Sequence, residues 1–228
     1  RFSINALWKN KIAVLVGDYL LSRGMLMALQ AKEYSTLEIV SEAVKEMSEG
    51  ELLQIEKARK LDIDEAIYFE VIRKKTASLL ASCFAAGASS STNNQEDIKK
   101  MWNIGESAGI AFQIKDDLLD FDKSNVIGKP SGIDIKEKKM TLPLIYLLIH
   151  SPALKKRKII NIIKKHNSNS DKVNWVVNEI ISVGGLKYAT EKMIDYSTKA
   201  LNLLHEYPES NNRLALEQII EFTIDRKK

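Results

Sequence analysis

Phe112-Gln113-Ile114-Lys115-Asp116-Asp117-Leu118-Leu119-Asp120 places three carboxylates within nine residues. The stretch holds no proline or glycine and reads with helical period, so it belongs to the end of a long helix, about Gln95 to Phe121. On that helix Asp116 and Asp120 share a face one turn apart, and Asp117 lies about 100° round. Carboxylates this close repel one another, which costs stability unless a cation offsets them. Oxygen-only ligands suit Mg²⁺, which keeps several waters and bridges to substrate phosphates. Phe112, Ile114, Leu118, Leu119 and Phe121 set the acidic spot at the edge of an apolar interior. Alone, an Asp-Asp-x-x-Asp is a weak signal, because acidic clusters on helices are commonly solvated. Its neighbours decide.

Gly128-Lys129-Pro130-Ser131-Gly132-Ile133-Asp134-Ile135 follows in a loop read over Lys123–Ile135, with Lys138-Lys139 after it. A glycine-bearing loop that brings lysines to carboxylates is what a metal–diphosphate complex requires. By itself the loop reads equally as a turn with solvated lysines. Upstream, Lys74-Lys75-Thr76-Ala77-Ser78 passes from polar to small apolar sequence. A lysine at such a junction can hold phosphate as a point charge, or can merely snorkel from a buried helix.

Working outward, nearly every segment has helical period and only four prolines interrupt it. The first helix is read over about Ile4 to Ala31. A second opens on the capping-box pattern Ser35-Thr-Leu-Glu38 and fades near Gly50. Asp62–Glu65 opens a third, Ser89–Asn94 is a connector, and a short helix covers about Thr141 to His150. Ser151-Pro152 caps the next, Gly184-Gly185 breaks two more, and a last helix runs from about Arg213 to Asp225. Without strand alternation or an internal boundary, the reading is all-α, one helical bundle over residues 1–228. Because the sequence begins at Arg1 within a helical pattern, N-terminal helices of the domain are expected to be missing.

The balance of 34 basic against 30 acidic residues argues against a nucleic-acid partner. A single cysteine, Cys83, excludes an intrachain disulfide framework and is read as a small buried hydrophobe in a reducing, cytoplasmic setting. No apolar run is judged long enough to span a membrane, since Gly17 and Asp18 interrupt Ile12–Leu21. The basic run Lys155–Lys158 reads as a solvated face, and peripheral contact with anionic headgroups is the most it implies. His150, His166 and His205 lack metal-ligand spacing and belong at helix ends.

FQIKDDLLDFD, GKPSGIDI and EKKMTLPLIYLL together resemble the second aspartate-rich region of trans-isoprenyl diphosphate synthases. GDYLLSRG (Gly17–Gly24), EMSEGELLQ (Glu46–Gln54) and RKKTASLL (Arg73–Leu80) match that family in order, over essentially the whole chain. The Glu-Gly-Glu-Leu-Leu-Gln form is most similar to the bacterial long-chain, octaprenyl-like branch. The resemblance implies the isoprenoid-synthase helical fold and Mg²⁺-dependent condensation of isopentenyl diphosphate with an allylic prenyl diphosphate, by a homodimer. It implies that Asp116 is the principal Mg²⁺ ligand, supported by Asp117 and Asp120 directly or through water. Lys75 and Lys129 would grip the allylic diphosphate, with Lys139 adding charge and Arg1 contributing to substrate binding as a remnant of the upstream region. Gln113 and Thr76 would lie beside the carbon that becomes cationic, and Asp134 would orient lysines or metal waters from behind. Residues of Tyr19–Leu29 and Ala77–Ala86 would pack the core or line a tunnel for the tail. The family's first aspartate-rich motif is absent from this sequence. That leaves two alternatives open: a non-catalytic subunit of a heteromeric synthase, or a helical scaffold without activity.

Overall fold

Helix formation follows from sequence that is rich in good formers and punctuated by capping residues rather than by prolines. The computed structural model describes residues 4–60, 64–121 and 133–226. Among them eleven α-helices run as α1 (Ile4–Gln30), α2 (Tyr34–Lys60), α3 (Glu65–Ile72), α4 (Ser78–Ser89), α5 (Gln95–Leu119), α6 (Ile133–Lys136), α7 (Leu142–Ile149), α8 (Ala153–Lys165), α9 (Ser170–Ser182), α10 (Gly185–His205) and α11 (Asn211–Asp225). No strand occurs among the described residues.

Several helices are capped by side chains at their starts. Asp64 accepts from the Ile67 amide, Asn94 from that of Glu96, Asn169 from that of Lys172 and Ser210 from that of Arg213. Gly184 takes φ +85° between α9 and α10, a left-handed conformation that a side chain would strain. His150 and His166 are the C-caps of α7 and α8, and His205 ends α10. The expected capping box does not form. Ser35 lies inside the first turn of α2, where its hydroxyl accepts a hydrogen bond from Ser89 at 2.9 Å.

α3 and α4 are joined without a loop by a π-helical turn, Arg73–Ala77, in which the Ser78 amide donates to the Arg73 carbonyl. The Ser78 hydroxyl closes on the Lys74 carbonyl at 2.6 Å. Helices on both sides clasp this rod closely. A Cβ on Gly109 of α5 would sit 2.6 Å from the Ala77 Cα, and one on Gly105 would sit 2.8 Å from the Ala81 Cα. From α2, a Cβ on Gly50 would lie 2.6 Å from the Lys75 backbone nitrogen. Gly50 therefore does not end α2, as the sequence suggested; it lies mid-helix because only a glycine leaves room for the rod there. Ion pairs tie the same elements, Arg73 to Glu46 at 2.9 Å and Lys74 to Glu49 at 3.0 Å.

The core is built around α5, α7, α9 and α10, where Ile114, Leu142, Leu144, Leu147, Val176 and Ala189 are fully buried. α7 is apolar on all sides and inaccessible along almost its whole length, the pattern of a central helix. Ile135, expected in the loop, is instead buried within α6.

Two further expectations are overturned. Cys83 is exposed, because the rod turns Ala77 and Ala81 toward α5, buries Ala85 as well, and leaves Leu79 and Cys83 on the accessible side. Asn10–Gln30 of α1 is long and apolar enough to cross a membrane, and none of it is buried. Gly17 and Asp18 do not break it, since one acid in so apolar a run leaves the average high. Tyr19, Leu20 and Met27 stand more than half exposed, so a tail-lining role for Tyr19–Leu29 has no enclosing wall among the described residues.

Candidate active site

α5 ends at the acidic stretch, and its last turn sends the three aspartates to three different partners. Asp117 turns inward. Its Oδ2 accepts from the Tyr68 hydroxyl at 2.8 Å and from the Leu142 amide at 3.1 Å. Burial raises the Asp117 carboxyl to about 7, against the lowering effect of those two hydrogen bonds. Burial, with the Asp117 charge beside it, also pushes the Tyr68 hydroxyl well above the usual tyrosine range. Tyr68 is thus a fixed donor that fastens α3 to α5, while Leu142 fastens the start of α7.

Asp120 caps α5 and, nearly buried, accepts from the Ile133 amide at 3.1 Å and the Asp134 amide at 3.2 Å. It thereby holds the first turn of α6 against the end of α5. Asp134, also nearly buried, accepts from Lys139 Nζ at 2.9 Å. Burial opposes the charge on Lys139, but the hydrogen bond and charge of Asp134 outweigh it and raise the ammonium above its ordinary value.

Asp116 alone of the three is well exposed, with 47% of its side chain accessible. Gln113 Nε2 donates to its Oδ2 at 3.3 Å, and Thr76 Oγ1 donates to Gln113 Oε1 at 2.8 Å. Thr76, Gln113 and Asp116 therefore form one chain from the π turn to the acidic stretch. Lys75 Nζ is held at 2.8 Å by Gln54 and at 2.7 Å by Glu51. Arg226, just past α11, forms an ion pair with Asp116.

The three aspartates, Gln113 and Lys75 face one cleft of about 550 Å³, lined also by Lys138, Lys139 and Thr141, with Thr76 held behind Gln113. The sequence reading brought together Lys75, Thr76, Gln113, Asp116, Asp117, Asp120, Asp134 and Lys139, and they do gather here. Lys129 and Arg1 lie outside the described residues. What the sequence reading missed are Tyr68, Gln54 and Arg226. Tyr68 carried no signal beyond its apolar surroundings; Arg226 opens the basic ending Arg226-Lys227-Lys228.

Among the described residues no three acidic, histidine or cysteine groups converge as a self-sufficient metal cage. The donors fit a different arrangement. Mg²⁺ commonly takes one or two carboxylates and completes its shell with water and substrate phosphate. Asp116 offers an accessible carboxylate on the cleft wall, and Thr141 adds a buried hydroxyl without a partner among the described residues. Asp117 and Asp120 serve as anchors for α7 and α6. Tyr68→Phe leaves Asp117 with the Leu142 amide, and we expect it to lower unfolding stability by about 1–2 kcal/mol in urea titration. Unchanged stability would show that the pair fastens nothing.

Residues 1–180 match the sequence model of the polyprenyl synthetase family. The chain belongs to that family. It is 28% identical to solanesyl-diphosphate synthase 2, chloroplastic, of Oryza sativa subsp. japonica, over 98% of this chain and 55% of that protein. To octaprenyl diphosphate synthase of Escherichia coli (strain K12) it is 30% identical, over 98% of this chain and 69% of that one. A crystal structure of geranylgeranyl pyrophosphate synthase from Bacteroides thetaiotaomicron superposes with TM-score 0.86 at 36% identity, covering 98% of this chain and 74% of that chain. The present chain thus spans from just over half to about three quarters of these relatives, which are named for different products.

Proposed function

We propose that the protein lengthens an allylic prenyl diphosphate by condensing it with isopentenyl diphosphate. The observation that carries this reading is the convergence of Lys75, Thr76, Gln113, Asp116 and Lys139 around one cleft in a chain of this family. Asp116 is assigned as the metal ligand, with Lys75, Lys129 and Lys139 as diphosphate contacts. Asp117, Asp120 and Asp134 are assigned to holding those groups in place.

A bound Mg²⁺ supplies positive charge against the diphosphate as its bond to the allylic carbon breaks. The chain's own groups do the rest. Lys139 is kept charged by Asp134, and Lys75 is steadied by Glu51 and Gln54, so both ammonium groups are placed before substrate arrives. Gln113 Oε1 and the Thr76 oxygen are partial negative charges suited to the carbon left electron-poor. The double bond of isopentenyl diphosphate attacks that carbon, a proton is lost to the released diphosphate, and no protein nucleophile is needed. Apolar Val71, Ile72 and Met140 in the cleft wall limit water at the cation.

The uncovered apolar α1 supports association with further helices of the domain and with a second copy, hence a homodimer. A free, exposed Cys83 accords with a reducing cytoplasmic location.

The test is to incubate the full-length protein with farnesyl and isopentenyl diphosphates at saturating Mg²⁺ and to size the product. We expect isopentenyl units to be incorporated in a Mg²⁺-dependent way. No incorporation, with or without co-purified partners, defeats the reading; incorporation only with a partner returns the non-catalytic subunit.

A further inference from the structure

Arg226 sits where a cation is wanted. Its guanidinium pairs with Asp116 Oδ1, donates to the Phe112 carbonyl at 3.3 Å, and stacks over the Phe112 ring with Cζ 3.8 Å from the centroid. Only 20% of its side chain is accessible, against 47% for Asp116. Its Nε is buried without a partner among the described residues, so the fork is only partly used. The cleft's ammonium groups that approach carboxylates are committed elsewhere, Lys75 to Glu51 and Lys139 to Asp134. Arg226 is therefore the cation paired with the one accessible aspartate of the stretch.

Its backbone position makes release simple. Arg226 is the C-cap of α11, with φ −56° and ψ 135°, and its amide donates to the Phe222 carbonyl. The chain has already left the helix at this residue, so its side chain can leave while only the terminal Arg226–Phe222 hydrogen bond loosens and the rest of α11 stays wound.

We propose that Arg226 is a cation placeholder, occupying Asp116 in the metal-free protein and leaving when a divalent ion binds, so that metal loading frees the end of α11. This rests on Asp116 being the metal ligand. Two features hold the placeholder beyond simple charge: the aromatic stack and the Phe112 carbonyl. A divalent ion must displace all three contacts, and its apparent affinity falls by the fraction of protein in which Asp116 is open.

The test measures Mn²⁺ binding to the full-length protein, without diphosphate, from the loss of the free-ion electron spin resonance signal. Wild type, Asp116→Ala, Arg226→Gln and Arg226→Lys are compared. We expect Asp116→Ala to remove binding and Arg226→Gln to tighten it about fivefold, the size of a partly exposed ion pair. Removing any nearby positive charge would also tighten binding, so the lysine variant decides. It keeps the charge but loses the stack and the fork, and a placeholder predicts tightening there too. In wild type, Mn²⁺ should also speed amide hydrogen exchange at Arg226. Asp116-dependent binding that both Arg226 variants leave unchanged, or exchange that does not respond, overturns the placeholder and spares the metal site. Wild-type binding that ignores Asp116→Ala overturns both.

Discussion

Replacing Asp116 by alanine lowers turnover of the full-length protein by at least about a hundredfold at saturating Mg²⁺. The magnitude follows from what the carboxylate is assigned to do. Charge grows on a departing diphosphate only in the transition state, and removing one contact to such charge costs about 100- to 1000-fold in rate. Asp117 and Asp120 are poor substitutes, because they turn inward to hold Tyr68 and Leu142, and Ile133 and Asp134, while Asp116 alone is well exposed on the cleft. Folding should survive, since Asp116 is exposed and its partners are Gln113 one turn back on α5 and Arg226 just past α11. Steady-state kinetics at several Mg²⁺ concentrations, beside a thermal melt, separates the two effects. Near-normal turnover would remove Asp116 from the chemistry.

The second large effect is structural. In an open helix Gly→Ala gains about 1 kcal/mol, because alanine restricts the unfolded chain and favours the helix. At Gly109 the sign reverses. The new Cβ would fall 2.6 Å from the Ala77 Cα and 2.9 Å from its Cβ, and a backbone atom cannot step aside as a flexible side chain could. Forcing α5 off the rod costs about 3 kcal/mol, leaving a net loss of about 2 kcal/mol in Gly109→Ala. Gly17→Ala, in open space on α1, is the control expected to be neutral or stabilising. Chemical denaturation of both reads the contrast. If Gly109→Ala is as harmless as Gly17→Ala, the close packing of α5 on the π turn is wrong.

Helices and their ends were largely legible because local chemistry writes them. Asn94 before a periodic run and Gly184-Gly185 between two runs act on neighbouring residues, so a sequence displays them directly. The clustering of Thr76, Gln113 and Asp116 was legible only through the family resemblance, since no local rule links residues 37 apart. Helical geometry gave the angle between Asp116 and Asp117, but not what each faces. Tyr68 is 49 residues from Asp117, and its pairing decides which carboxylate is buried. Gly50 shows the same gap. A glycine in a helix reads as a break, whereas here the reason for it lies on another helix. α1 misled in the opposite direction, because its interruptions looked larger than they are.

The wide turn at Arg73–Ala77 acts as a phase shifter along a single rod. One residue more than a regular turn needs rotates everything after it by about 100°. Before the turn, Tyr68 is aimed at Asp117; from its last residue onward, Ala77 and Ala81 meet Gly109 and Gly105 of α5. A deletion of one residue there would straighten the rod and set these two halves out of step. Lys75 and Thr76 stand where the two registers are reconciled, so the lining of the cleft and the packing of the core are tuned by the same extra residue.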